Sequence, residues 1–436
     1  MHSFLTVKLS EYGWLFIFNG LLFQTYLQYG VDDRFAYIDE IVVLILLLAV
    51  LLELAARRRN GGGLLRSEKL SLLFLGLTVC CGLLGNALYA IQTAAWPIFI
   101  DVFACTKFFL ALCALFYIFN NGTVRTSLWN IVVAEAKLLS IALFFGAAIN
   151  LFFDVGLGNG DYRYGFESYS FIFVIPECVN VVAVGLAAIL ISESKKNFLF
   201  VVLLALSMVA TLRSKGIAGA FLILLVAWIA LRGRKLTAVH FLLAISGILI
   251  LGWDQINVYY SGIGGETTAR NQLNLVSVQL ANSHFPVGTG FATYGSAITA
   301  TEQYYSPIYY LFGFNQIYGL ALGPQNYISD TFWPTILGQF GYMGLMFYSM
   351  ALILIFYSIA KRSSCVSWYS SLACLCCSLY LLVSSTAGSS FFSPQAIYIA
   401  FCLGLVLRGR RFNRSLDDNS RQVCGGGIDV PESAVR

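Results

Sequence analysis

Runs of about 20 apolar residues recur along the chain, separated by short polar, Gly-rich or basic turns. Each run is long enough to cross about 30 Å of hydrocarbon. The pattern predicts an all-α polytopic membrane protein with about twelve transmembrane helices, at 12–30, 38–56, 69–91, 97–119, 130–153, 169–192, 196–212, 216–232, 237–252, 333–360, 365–386 and 390–407. The first run carries Asn19, Gln24 and Gln28, which leaves an interfacial helix as its alternative reading. The seventh and eighth are nearly continuous, broken only by Arg213-Ser214-Lys215-Gly216. A cation at the bilayer centre costs about 2.5–3.5 kcal/mol, so the break is expected to be a hairpin at the membrane surface.

One long stretch departs from the pattern. Residues 253–332 are too polar, and too rich in Gly, Asn, Thr and Tyr, to span a membrane. A long loop between spans is more often functional than filler. The expected organisation is therefore spans 1–9 in residues 1–252, a large loop between spans 9 and 10 at 253–332, spans 10–12 within 333–407, and a disordered tail at 408–436. No period of 20–50 residues appears, which argues against a solenoid.

Composition agrees with this reading. The chain is 58% hydrophobic and 11% charged, with a mean hydropathy of +0.76. Soluble globular domains carry about 25% charged residues. No separate signal peptide is evident, so the first spans are expected to act as the insertion signal. Eleven cysteines are present, almost all in spans or in turns expected to be cytoplasmic, so a disulfide framework is not expected. Cys374, Cys376 and Cys377 lie in a span without a nearby His and read as packing.

The net charge of +5 becomes informative once the cations are assigned to sides. With the amino terminus inside, the cytoplasmic turns receive most of the Lys and Arg, including the Arg57-Arg58-Arg59 run, Lys195-Lys196, Arg232, Lys361-Arg362 and Arg408. The outer side receives only Arg34, Arg163, Arg213, Lys215 and Arg270. This asymmetry puts the 253–332 loop outside the cytoplasm.

Outside a cell membrane there is no pool of ATP or nucleotide sugar, so a bond made there draws on energy stored in the substrate. A lipid pyrophosphate-linked sugar stores it, provided that cations stabilise the departing charge. Arg213 and Lys215 suit that role, with lipid headgroups as their alternative partners. Arg270 begins a segment with Leu273, Val276 and Leu280 at helical spacing, expected to lie on the membrane as an amphipathic helix. In the turn His284-Phe285-Pro286-Val287-Gly288-Thr289-Gly290, free backbone N–H groups could face an anion, with Gly288 and Gly290 as the contact points. His284 reads as a base or as a structural hydrogen-bonder.

Asp330, just before Trp333-Pro334, caps a helix or deprotonates a sugar hydroxyl. Asp254, Glu266 and Glu302 are weaker candidates for the second role. Tyr304, Tyr305, Tyr309, Tyr310, Tyr318 and Tyr327 suit sugar faces or an interfacial belt. Asp101, Lys107, Glu135, Lys137 and Glu177 are candidate intramembrane charges, with Asp101 and Glu177 near enough to outer ends to join a site. Nothing in the sequence calls for a metal, a nucleotide or another cofactor.

Three features resemble the superfamily of O-antigen ligases and Wzy-type O-antigen polymerases. They are the hairpin Arg213-Ser214-Lys215-Gly216, the stretch from Arg270 to Pro286-Val287-Gly288-Thr289-Gly290, and the loop exit Asp330-Thr331-Phe332-Trp333-Pro334 with Gly338-Gln339-Phe340-Gly341. The resemblance covers residues 200–345 in motif and most of the chain in topology. It implies a metal-independent glycosyltransferase of the bacterial inner membrane. Such an enzyme moves an O-antigen, capsule or exopolysaccharide glycan from undecaprenyl pyrophosphate, with its arginines on the pyrophosphate. Its expected partners are a lipid-linked oligosaccharide, membrane lipid, a chain-length regulator and a flippase. Family ligases carry a His-Asn pair near the loop exit, where this chain has Gln325-Asn326 and Asp330. That departure favours a repeat-unit polymerase over a ligase acting on lipid A core or protein. The rival from another class is a carrier of lipid-linked oligosaccharide.

Overall fold

The computed structural model describes residues 11–55, 63–120, 126–153, 155–233, 268–323 and 326–408. These form helices α1 (Glu11–Leu22), α2 (Gln24–Gly30), α3 (Ile38–Ala55), α4 (Arg66–Tyr89), α5 (Ala95–Asn120) and α6 (Thr126–Phe152). After an antiparallel hairpin, β1 (Gly158–Arg163) and β2 (Phe166–Tyr169), come α7 (Pro176–Glu193), α8 (Phe198–Ala210) and α9 (Ser214–Arg232). The large loop contributes α10 (Ala269–Ser283) and the five-residue α11 (Pro307–Leu311). The chain then continues through α12 (Trp333–Ser364), α13 (Trp368–Ser385) and α14 (Pro394–Val406).

Eight helical segments among the described residues are long and apolar enough to cross a membrane. They account for eight of the twelve predicted spans. The run at 12–30 is instead two short helices, α1 and α2, that break at Phe23. The runs at 196–212 and 390–407 yield 13-residue helices, too short to cross about 30 Å of hydrocarbon unaided. The run at 169–192 begins late, because 158–169 is occupied by the β hairpin and the helix starts at Pro176. The predicted span at 237–252, residues 253–267 of the loop and 409–436 of the tail lie outside the described residues.

The burial pattern fits a bundle in lipid. On α3, Ile41, Leu44, Leu48 and Leu51 are exposed on one face, while Val43 and Leu46 on the other are fully buried. An outer face that stays apolar is the mark of a helix whose solvent is hydrocarbon. At the centre stands α7, packed against α8, α13 and α14, with 83% of its apolar window buried. The cysteines Cys374, Cys376 and Cys377 are buried thiols in the core facing of α13.

Polar residues inside the bundle are partnered across helices. Lys107 binds Asp39 at 2.5 Å and Glu40 at 3.1 Å. Glu135 accepts from Asn19 at 3.3 Å, and the Lys137 ammonium lies 5.7 Å from the Phe200 ring centroid. These candidate intramembrane charges are thus held by neighbours on adjacent helices.

The large loop is folded and partly sunk into the bundle. Gly82, Gly85 and Asn86 share one face of α4, and that face receives residues 288–291. A Cβ on Gly85 would lie 2.7 Å from the Gly290 nitrogen, so only a bare backbone allows this approach. Gln339 donates to Tyr294 O at 2.6 Å and Thr335 to Gly295 O at 3.1 Å, closing the other side against α12. Irregular backbone is tolerated at such depth when protein satisfies its polar groups.

Helix α12 kinks at Gly341, whose backbone (φ 64°, ψ −167°) is open to glycine alone. A Cβ there would also lie 2.4 Å from the Pro286 carbonyl oxygen. Gly341→Ala is therefore expected to lower the unfolding temperature by several degrees, from roughly 1–3 kcal/mol of backbone strain plus the clash. Gly313→Ala, also at positive φ (69°) but with nothing near the new methyl, should cost less. Thermal unfolding of the two variants side by side checks this.

Candidate functional site

Four helices begin at one place. Glu177 is the second residue of α7, Lys215 of α9 and Arg270 of α10, and Asp330 lies three residues before α12. The end of α13 and the β1–β2 hairpin complete the surroundings. Lys215 donates to Glu177 Oε1 at 2.7 Å and to the Ala387 carbonyl at 3.1 Å, while Ser384 donates to the same carboxylate at 3.2 Å. Gly388 leaves the room for this pair, because a Cβ there would lie 3.2 Å from Lys215 Nζ. Arg270 Nη2 is 3.5 Å from Asp330 Oδ2. Arg213 Nη2 is 2.9 Å from Asp161 Oδ2 in the hairpin, and Arg163 Nε meets the same oxygen at 3.2 Å.

The three predicted cations are electrostatically linked. Both Lys215 and Arg270 act on Glu177, both act on Asp330, and Arg213 acts with Asp330 on Tyr327. Arg213, Lys215, Arg270, Asp330 and Tyr327, chosen from the sequence, therefore gather at one end of the bundle. Lys195, Lys196, Arg232 and Lys361 lie at the opposite helix ends.

Cations at helix N-termini work against the macrodipole. Here Glu177 and Asp330 offset that cost for Lys215 and Arg270. The result is a near-balanced set of charges with four helix N-termini converging on it, an arrangement that favours an incoming anion. The Asp330 carboxyl is half-buried, and burial raises its pKa above the usual aspartate value. Arg270 and then Lys215 pull it back, and Glu177 adds to the rise. A raised, partly exposed carboxylate is suited to accepting a proton.

Beside the charges, Tyr318 is 73% exposed and Tyr327 40% exposed, and the two side chains lie near enough to act on each other. Gly319 permits this, because a Cβ would come within 2.7 Å of the Tyr327 ring. Trp333 stands at the start of α12, its indole N–H donating to Ser385 Oγ at 3.2 Å on α13. Tyr294 and Tyr309, by contrast, are fully buried inside the loop.

Several expectations need correction. The glycine turn does not offer free N–H groups: those of Gly288, Thr289 and Gly290 donate to the carbonyls of His284, Gly338 and Gln339 at 3.0, 3.1 and 2.8 Å. Phe291 N donates to Asn86 Oδ1 and Ala292 N to Asp101 Oδ2, each at 2.7 Å. Gly288 and Gly290 are thus a backbone latch between α4 and α12, not an anion cradle. His284 sits edge-on to Tyr89 at 4.5 Å, its Nδ1 bonded with Ser283 Oγ and Leu280 O, which is the structural alternative. Leu273, Val276 and Leu280 do not lie on a membrane surface. They form a small core with Tyr294, Tyr309 and Phe314. Asp101 anchors the latch instead of joining the cations.

Asp161, Arg163 and Glu177 are the site residues that sequence reasoning underweighted. Arg163 and Glu177 carried a signal, as an outer cation and an acid at a span end. Asp161 carried none, because only the hairpin carries it to Arg213. Asp254 and Glu266 lie outside the described residues. The sequence matches no protein-family model, and a search of curated proteins returns no significant match.

Proposed function

We propose that the protein polymerises polysaccharide repeat units at the outer face of a bacterial inner membrane, transferring a growing glycan from undecaprenyl pyrophosphate to a lipid-linked repeat. The observation that carries this reading is the convergence of Arg213, Lys215 and Arg270 on four helix N-termini with Asp330 among them. Three polar roles are needed for such a transfer, and the residues divide among them.

Arg213, Lys215 and Arg270 take the pyrophosphate, exchanging part of their contact with Asp161, Glu177 and Asp330 for phosphate oxygens. Guanidinium groups match phosphate in fork geometry, and the ammonium adds a compact charge. Asp330 takes the proton of the acceptor hydroxyl as its oxygen attacks the anomeric carbon. The bond from that carbon to the phosphate oxygen breaks, and the pyrophosphate leaves with the electron pair. Tyr327 and Tyr318 offer ring faces to the sugar nearest the pyrophosphate, and Trp333 fixes the start of α12 against α13. No histidine joins this set among the described residues, and Asn326 is engaged in its own turn through Ile328 N and Ala321 O. This favours polymerase over ligase.

Arg270→Ala is expected to lower transfer by about 10²–10³-fold, the scale for losing one donor to a developing oxyanion. Polymer length in cells should shorten, with the protein still in the membrane. Wild-type chain lengths in that variant would remove Arg270 from the mechanism.

A further inference from the structure

The β1–β2 hairpin enters the site through Asp161, yet its far end carries exposed rings. The strands pair Arg163 with Phe166, which leaves Tyr164-Gly165 as a two-residue turn with φ of 53° and 84°. Such turns favour Asn, Asp or Gly at the first position, and here Tyr164 occupies it, 82% exposed. Tyr162 and Phe166 on either side are exposed as well. The base of the hairpin is fixed. Tyr169 donates to the Leu143 carbonyl on α6 at 2.8 Å, Ser168 donates to the Thr211 carbonyl at 2.6 Å, and Arg213 holds Asp161 at 2.9 Å.

The helix that this base rests on, α6, is long and apolar enough to cross a membrane. Its residues Leu138, Ile141, Phe145, Ile149 and Phe152 recur at intervals of three and four and are all exposed, so one side of α6 is an apolar stripe that runs to its last residue. Phe153 adds a further exposed ring. Tyr169 meets α6 about 13 Å before that end by the helical rise, and Phe166 stands about 10 Å along the strand from Tyr169, so the tip is within reach of the level where α6 ends. Aromatic side chains gather where hydrocarbon gives way to headgroups. We propose that Tyr162, Tyr164 and Phe166 form, with Phe152 and Phe153, a surface that rests in the headgroup boundary of the bilayer. Lipid suits it better than glycan, because Phe152, Phe153 and Phe166 offer no polar atom and the α6 stripe already faces hydrocarbon. The hairpin holds Arg163 against Asp161 and Glu167, so the contact calls for no anionic lipid. On the transfer reading above, this surface lets a lipid-anchored pyrophosphate reach Arg213 from the bilayer side. The surface itself stands without that reading.

The test places the photocrosslinking residue benzoylphenylalanine singly at Tyr164, Phe166, Phe145 or Glu302 of the full-length protein, in phosphatidylcholine nanodiscs, and weighs the protein after irradiation. Phe145 on the α6 stripe is the lipid reference, and Glu302, an exposed carboxylate in the large loop, is the aqueous one. Phospholipid adducts at Tyr164 and Phe166 should match the yield at Phe145 and exceed that at Glu302 severalfold. If one hairpin variant does not fold, the other decides. Yields at the Glu302 level overturn the proposal and leave the transfer reading untouched, since no step of transfer is measured. An adduct at Tyr164 that forms with an added lipid-linked glycan but not with phosphatidylcholine also overturns it, and would make the tip a sugar platform.

Discussion

Asp330→Asn should lose about 10²–10⁴-fold in glycan transfer, the range for removing a general base, while the protein becomes more stable at neutral pH. The two effects have one origin. Burial raises the Asp330 pKa despite Arg270 and Lys215, so the folded state binds the proton more tightly than the unfolded chain does. Between the unfolded value near 3.8 and the higher folded value, stability falls as pH rises, and above that window the ionised carboxylate is a standing cost. Asn carries no charge and can still accept from Arg270, so it removes that cost. The wild-type rate should fall as pH drops through the raised pKa, giving an acid limb above the ordinary aspartate range. Asp330→Asn should lack that limb. Transfer rates and unfolding temperatures measured across pH check both. A variant with normal activity, or one that is both inactive and less stable, would count against this role.

Glu68→Ala should destabilise the fold by about 3–5 kcal/mol, the cost of stripping one partner from a buried ion pair. Glu68 at the start of α4 and Arg362 near the end of α12 are both almost fully buried. Arg362 grips both carboxylate oxygens, with Nη2 to Oε2 at 2.7 Å, and its guanidinium lies 4.8 Å from the Phe116 ring centroid. Glu68 also accepts the Leu65 N–H at 2.8 Å, so one side chain caps the start of α4 and ties it to α12. Deleting it leaves a buried guanidinium without a counter-charge. Glu68→Leu combined with Arg362→Met should recover most of the loss, because two apolar side chains need no pairing. Unfolding of the single and double variants in detergent measures both.

The spans were legible where apolar runs were long, because hydrocarbon thickness demands that length whatever the packing. The run at 12–30 misled because its residues are apolar enough in total, yet the helix breaks at Phe23. The β hairpin at 158–169 left no strong pattern, and apolar residues after it were absorbed into a span. The cations Arg213, Lys215 and Arg270 could be picked out because positive charge is rare at their end of the bundle, where Glu177 and Asp330 meet them. The glycine turn was misread for a clear reason. Glycines that free backbone N–H groups for a ligand look in sequence like glycines that let backbone touch backbone. Which is present depends on Gly82 and Gly85, some 200 residues away. Arg362 shows the same limit: it reads as a solvated cytoplasmic cation until Glu68 is brought beside it.

The central claim is that these cations bind a lipid pyrophosphate during glycan transfer. It is tested most directly by incubating the purified protein in vesicles with a labelled polyprenyl pyrophosphate-linked repeat unit, divalent metals chelated. The account predicts a ladder of lengthened lipid-linked glycans, absent in Arg270→Ala. Movement of the labelled lipid across the vesicle membrane with no lengthening would contradict it, and would make the protein a carrier rather than a transferase.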